Sequence, residues 1–158
     1  MPETLPPHVV LSDELAVINW AELKRAVAED NFDNGRTPAE LRDSFAATNV
    51  RVFALLDGRV IGTARALADG VCNAFVVDVW TKSAFRRQGL AKRMMTFLEQ
   101  RLEGHHVALF TEHAVSFYDK LGYSEERVGM SKVVGTWLRR TRDSNEQTAP
   151  SDGTASDA

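Results

Sequence analysis

Apolar residues recur along this chain at two periods. In "NWAELKRAVAED", Trp20, Leu23 and Val27 fall on one helical face, with Asn19 placed as an N-cap and Glu22 three residues on. In "TPAELRDSFAA", Thr37 is the cap, Pro38 takes the first helical position and Glu40 closes a capping box, while Leu41 and Phe45 form the apolar stripe. "LAKRMMTFLEQRL" sets Leu90, Met94, Leu98 and Leu102 at steps of four, with Ala91 and Met95 beside them and Gly104 as the stop. "AVSFYDKLGY" reads as a short helix ended by Gly122.

Between these helices the pattern is that of strands. "HVVLSDELAVI" holds a first one. "VRVFALLDGRVIGTARAL" is a hairpin, because two apolar, β-branched runs flank the turn pair Asp57-Gly58. After a second turn at Asp69-Gly70, "VCNAFVVDVWT" is apolar on both faces and is expected in the middle of the sheet. "HVALFT" follows as another strand, and "GMSKVV" through Leu138 as the last. The order β-α-α-β-β-β-α-β-α-β predicts an α/β (α+β) fold, a mixed sheet with helices on its faces. Residues 1–7 carry three prolines and read as a loose lead-in, residues 8–141 as one domain. From Arg142 onward, "RDSNEQTAPSDGTASDA" has too few apolar residues to bury, which predicts a disordered tail. No internal repeat is evident.

Composition narrows the function classes. The chain has 158 residues, 44% of them hydrophobic and 26% charged, which is ordinary for a globular domain. A net charge of -3 argues against a protein that coats nucleic acid. Cys72 is the single cysteine, so no internal disulfide can form. No apolar run approaches the roughly 20 residues that span a bilayer, and the N-terminus lacks a signal-peptide pattern; a cytoplasmic protein without membrane contact is expected.

One local feature departs from this background. Residues 86–93 read "RRQGLAKR", four basic residues in eight around Gly89, where a strand passes through "TKSAF" into a helix. The first turn of a helix leaves N–H groups unpaired and carries partial positive charge. Gly89 and the small Ala91 leave room for an anion there, and Arg86, Arg87 and Lys92 surround the same mouth. The alternatives are a solvated charge run or a nucleic-acid patch, the latter without the interleaved aromatics that would support it. The spacings of a P-loop and of G-x-G-x-x-G are both absent.

Together, "DVWTKSAFRRQGLAKRMM" and "ALFTEHAVSFYDKLGY" resemble the GNAT superfamily of acyl-CoA-dependent N-acyltransferases. The run Arg86-Arg87-Gln88-Gly89-Leu90-Ala91 matches that family's R/Q-x-x-G-x-G/A loop, which takes the CoA pyrophosphate. Residues 117–123, "FYDKLGY", match its F-Y-x-K-L-G-F helix, with tyrosine in the last place. The resemblance covers roughly residues 8–138 and departs where the family often has valine and then proline, since Thr81 and Ser83 stand there.

What the resemblance implies is an N-acetyltransferase that moves an acetyl group from acetyl-CoA to an amine by direct attack, without a metal. A small-molecule primary amine is the expected acceptor, a homodimer is left open, and a non-catalytic acyl-CoA-binding or sensing module on the same fold is the rival class. Tyr118 is then the acid for the departing thiolate. Val79, Trp80 and Thr81 offer strand backbone to pantetheine, the N–H near Val79 facing the oxyanion. Lys92 joins the loop residues 86–91 as CoA-binding. The base is read from the residues: Asp78, a lone carboxylate in an otherwise apolar strand, is placed as base or amine-binding group, against a hydrogen-bonded strand residue or one that shapes the acceptor pocket, and Glu112 is a weaker alternative. The rest read as structural. His105 and His106 are expected to be solvated and Cys72 to be a small apolar filler. Trp20 and Trp137 are expected in the core, and the Arg65–Asp69 pair either to reach the acceptor side or, the reading preferred, to finish a hairpin.

Overall fold

The computed structural model describes residues 5–126 and 128–138. The chain divides into two compact units, Met1–Glu125 and Glu126–Ala158. The first holds every α-helix and strand among the described residues: β1 (Val10–Ser12), α1 (Trp20–Glu29), α2 (Pro38–Ala46), β2 (Val50–Leu56), β3 (Arg59–Ala68), β4 (Asn73–Thr81), α3 (Leu90–Glu99), β5 (His106–Leu109) and α4 (Val115–Asp119). The five strands form one sheet in the order β1-β2-β3-β4-β5. All pairings are antiparallel except β4 with β5. This is the predicted mixed sheet with helices on its faces.

The local signals act as read. Asn19 accepts from the Glu22 amide at 3.1 Å, and Thr37 and Glu40 complete a reciprocal capping box. Asp57 and Gly58 both have positive φ and join Leu56 to its partner Arg59. Helix α3 covers one sheet face. Its Leu90, Met94, Met95 and Leu98 pack on Val52, Ala54, Ala64, Ala66, Ala74 and Val76. Each fully buried side chain of this size contributes about 1.5–3 kcal/mol. The alanines keep that face shallow, and Gly62 completes it: a Cβ there would lie 2.9 Å from Met94 Sδ. Helices α1 and α2 cover part of the opposite face, joining Leu23, Val27, Leu41 and Phe45 to Phe53 and Trp80.

Three expectations change. Helix α3 ends at Glu99 rather than running to Leu102, although Leu102 is still buried. The strand expected from Gly129 to Leu138 is absent among the described residues, because Gly135 and Leu138 take left-handed φ values of 72° and 50° that break an extended path. Trp137, expected in the core, is exposed. Residues 1–4 of the lead-in and the predicted disordered tail, 142–158, lie outside the described residues.

Candidate active site

The site starts from a defect in β4. The register of β3 with β4 slips between Thr63 and Arg65, which pair with Trp80 and Val77, so β4 carries an extra residue there. Asp78 sits in that bulge at φ 54°, in the left-handed region. The parallel ladder to β5 runs only from Asn73 to Val76. Residues 77–81 therefore have no ladder partner in β5, and their backbone on that side is open to another partner.

Asp78 does not stand alone. Both its oxygens accept from Arg36 at 3.0 Å, and Oδ2 also accepts from Arg65 Nε at 2.6 Å. Arg36 and Arg65 are themselves largely buried, with side chains 9% and 14% exposed. Arg36 is further held by Asn34, and Arg65 by Thr48 Oγ1 at 2.8 Å. Around this triad lies a small cavity lined by Phe32, Asn34, Phe45 and Thr63. A lone carboxylate in an apolar strand signalled that a buried partner was needed, but no pattern identified Arg36, 42 residues away. Arg65 does not pair with Asp69. Asp69 instead accepts the amides of Val71, Cys72 and Asn73, bonds that pull its carboxyl well below the usual range.

At the end of β4, a 3-10 turn (Ser83–Phe85) leads into the basic loop. Gly89 is the N-cap of α3 with φ 83°, no side chain caps the helix, and a Cβ at Gly89 would meet nothing within 4 Å. The space beside Gly89 at the helix start is thus open, which is where an anion can approach the first turn. Arg87 and Lys92 are exposed, while Gln88 bonds the Ala84 carbonyl at 3.2 Å. Arg86 donates from Nε to the Thr81 carbonyl at 3.0 Å. Thr81 Oγ1 is buried without a hydrogen-bond partner among the described residues. A helix start without a side-chain cap, with exposed Arg86, Arg87 and Lys92 in the adjoining segment, fits an anionic ligand. Leu90 is buried in the core, so its contribution to the loop is its backbone. Val79 packs against the core under α3.

Asp30, which the sequence did not single out, closes the back of this loop. Its carboxylate accepts from Trp80 Nε1 and from the Ser83 amide, both at 2.9 Å, with Arg86 Nη2 at 3.6 Å. Burial opposes its ionisation, yet the bonds from Ser83 and Trp80 and the charge of Arg86 outweigh this and hold its pKa below the usual value. Trp80 is buried in the α1/α2 core by its ring and reaches Asp30 through its indole N–H.

Tyr118 lies on α4, buried, with its ring edge-on to Phe117 and Tyr123 at 4.9 and 5.7 Å. Burial raises its pKa, so the hydroxyl keeps its proton at neutral pH. No described residue bonds it, whereas Tyr123 donates to Glu99 at 3.0 Å. Glu112 is exposed and sits 3.6 Å from His113. Cys72 is exposed rather than a filler, and the charge of Asp69 raises its thiol pKa, which disfavours a nucleophile. His105 is half-buried rather than solvated, its buried Nε2 lying 3.7 Å from Asp69. Among the described residues, no cluster of three His, Cys, Asp or Glu side chains could hold a metal, and no helix is long and apolar enough to cross a membrane.

Comparison with known proteins gives this geometry a family. Residues 15–123 match the model of the acetyltransferase (GNAT) family. No curated protein sequence matches the chain. Among solved structures, a protein from Xanthomonas campestris pv. campestris assigned to the GNAT family superposes with TM-score 0.71 at 21% identity, over 81% of this chain and 94% of that one. A protein from Deinococcus radiodurans R1 assigned as an acetyltransferase does so with TM-score 0.64 at 25% identity, over 89% and 94%. Glucosamine-6-phosphate N-acetyltransferase from Arabidopsis thaliana is similar with TM-score 0.65 at 18% identity, over 80% and 99%. The family match spans the bulged strand, the glycine loop and the tyrosine helix together, and the chain belongs to the GNAT family of acetyltransferases.

Proposed function

We propose that this acetyltransferase takes acetyl-CoA as donor and a primary amine on a small molecule as acceptor, and joins them by direct attack. The observation that carries this reading is the uncapped, glycine-opened start of α3 at the end of a strand whose backbone is free on the β5 side. The pyrophosphate would rest on the first-turn amides of α3, with Arg86, Arg87, Gln88 and Lys92 around it. Pantetheine would lie along residues 79–81, and the thioester would reach the bulge at Asp78.

The acceptor enters as an ammonium, because an alkylamine has a pKa of about 10.4. Asp78, read from sequence as the base, has both oxygens engaged by two guanidiniums, so taking a proton would cost it charge-assisted bonds. Its role in this reading is to hold the acceptor wall, with the amine proton leaving to water. The neutral nitrogen attacks the carbonyl carbon, and the carbonyl π electrons move to oxygen, where the Val79 amide stabilises them. Collapse breaks the C–S bond, and the thiolate, with a reference pKa of about 8.5, takes the Tyr118 proton. The attacking nitrogen gives up its second proton to water, Tyr118 is later reprotonated from solvent, and the products are the amide and CoA.

The test is a panel of amines with acetyl-CoA, read by thiol release, alongside calorimetry with acetyl-CoA alone. Amine-dependent release of CoA supports the enzyme. Tight acetyl-CoA binding without release for any amine would instead support the sensing module, and no binding would refute both.

A further inference from the structure

We infer that Asp30 is a positioning residue for the acetyl-CoA cradle, holding the 3-10 turn and Arg86 in the arrangement the pyrophosphate meets. This rests on the reading above that the loop 86–92 takes acetyl-CoA. Asp30 follows the last residue of α1, on the acceptor side of the sheet, with its side chain 8% exposed. One of its oxygens, Oδ2, meets three groups from consecutive parts of the donor side: the Trp80 indole on β4, the Ser83 amide that opens the turn, and the Arg86 guanidinium that opens the basic loop.

A buried carboxylate is costly, and filling space at a helix end needs no charge. The charge is placed where the next segment must change direction and present cations. Within that segment the bonds are local: Phe85 to the Lys82 carbonyl at 2.8 Å, Arg86 to the Ser83 carbonyl at 3.3 Å, and Gln88 to the Ala84 carbonyl at 3.2 Å. They shape the turn but do not attach it to α1. Asp30 supplies that attachment. With Thr81 O on Nε and Asp30 near Nη2, the Arg86 side chain is gripped from two sides, although it is about half exposed. A guanidinium ordered in this way loses less freedom when an anion arrives.

The experiment uses the full chain, with acetyl-CoA binding measured by calorimetry well below the melting temperature and steady-state kinetics measured with a responsive amine. Asp30→Ala removes all three contacts. Its Kd for acetyl-CoA should rise about 10-fold or more, with KM for acetyl-CoA following and kcat staying within about 3-fold. Asp30→Asn keeps an acceptor for Trp80 and Ser83 and loses only the charge facing Arg86, so its Kd should rise by about 3-fold. A merely structural residue would lower the unfolding temperature and leave Kd unchanged in the folded protein. Unchanged or tighter binding in Asp30→Ala overturns the proposal. If that variant does not fold, unchanged or tighter binding in Asp30→Asn overturns it. Wild-type protein that fails to bind acetyl-CoA sinks the cradle reading itself, whereas wild-type binding with unaltered variants sinks only the role of Asp30.

Discussion

Removing the Asp78 carboxylate should expose how much the bulge depends on its two arginines. Asp78→Ala deletes the acceptor of three charge-assisted bonds, at 3.0, 3.0 and 2.6 Å, and leaves two guanidiniums facing each other with little access to water. Breaking a buried ion pair from one side costs about 3–5 kcal/mol. Alanine also bears φ 54° less well than aspartate, which adds about 1–2 kcal/mol. The expected loss is therefore roughly 4–7 kcal/mol, much of the stability of an ordinary domain. At roughly 4 °C per kcal/mol for a unit of this size, the melting temperature should fall by about 16–28 °C. Asp78→Gly should recover only the strain, and Asp78→Asn, which tolerates the left-handed region, should lose only the ionic part. Adding Arg36→Ala to Asp78→Ala should cost much less than Arg36→Ala alone, since its partner is already gone. Urea unfolding of the set, with slopes compared, measures all of these differences. An Asp78→Ala protein within about 1 kcal/mol of wild type, with the same slope, would show that the triad adds nothing.

Four further outcomes follow from the site. Gly89→Glu puts bulk and negative charge at the helix start and forces glutamate to φ 83°, so calorimetry should find no acetyl-CoA binding in a folded variant; unchanged affinity would remove the cradle from loop 86–92. Tyr118→Phe keeps the ring packing and removes the proton, so single-turnover rates should fall by about 10²–10⁴-fold with CoA affinity retained; a wild-type rate would take Tyr118 out of the mechanism. Because burial raises the Tyr118 pKa, its protonated form should persist above pH 10, and the alkaline limb of kcat should not reflect it below that value. The depressed pKa of Asp30 works in the opposite direction. Its contribution to stability is fully present above the unfolded value near 3.9 and should be lost only as pH falls through the lower folded one, which a carbon-detected titration of Asp30 can follow; a folded pKa at or above about 3.9 would contradict the hydrogen bonds at Ser83 and Trp80.

The sequence by itself determined what depends on neighbours a few residues apart. Asn19 with Glu22, Thr37 with Glu40, the Asp57-Gly58 turn and the α3 stripe from Leu90 to Leu98 are contacts between near neighbours in one helix or one hairpin, and each formed where its pattern stood. Gly89 belongs to the same class, because an uncapped helix start with positive φ is a property of one peptide segment. The strand expected between Gly129 and Leu138 shows the limit: an apolar run is compatible with a strand, but only a backbone partner makes it one. Tertiary structure alone decided the partners of the buried charges. Asp78 meets Arg36 across 42 residues and Arg65 across 13, and Asp30 meets Trp80 across 50 and Ser83 across 53. Those meetings require the bulge to turn Asp78 toward α2 and the sheet to bring the end of α1 beside the end of β4. Periodicity along the chain states which face a residue takes and says nothing of which distant charge shares that face. Burial then enforces the pairing, since a carboxylate withdrawn from water must find donors wherever the fold has placed them.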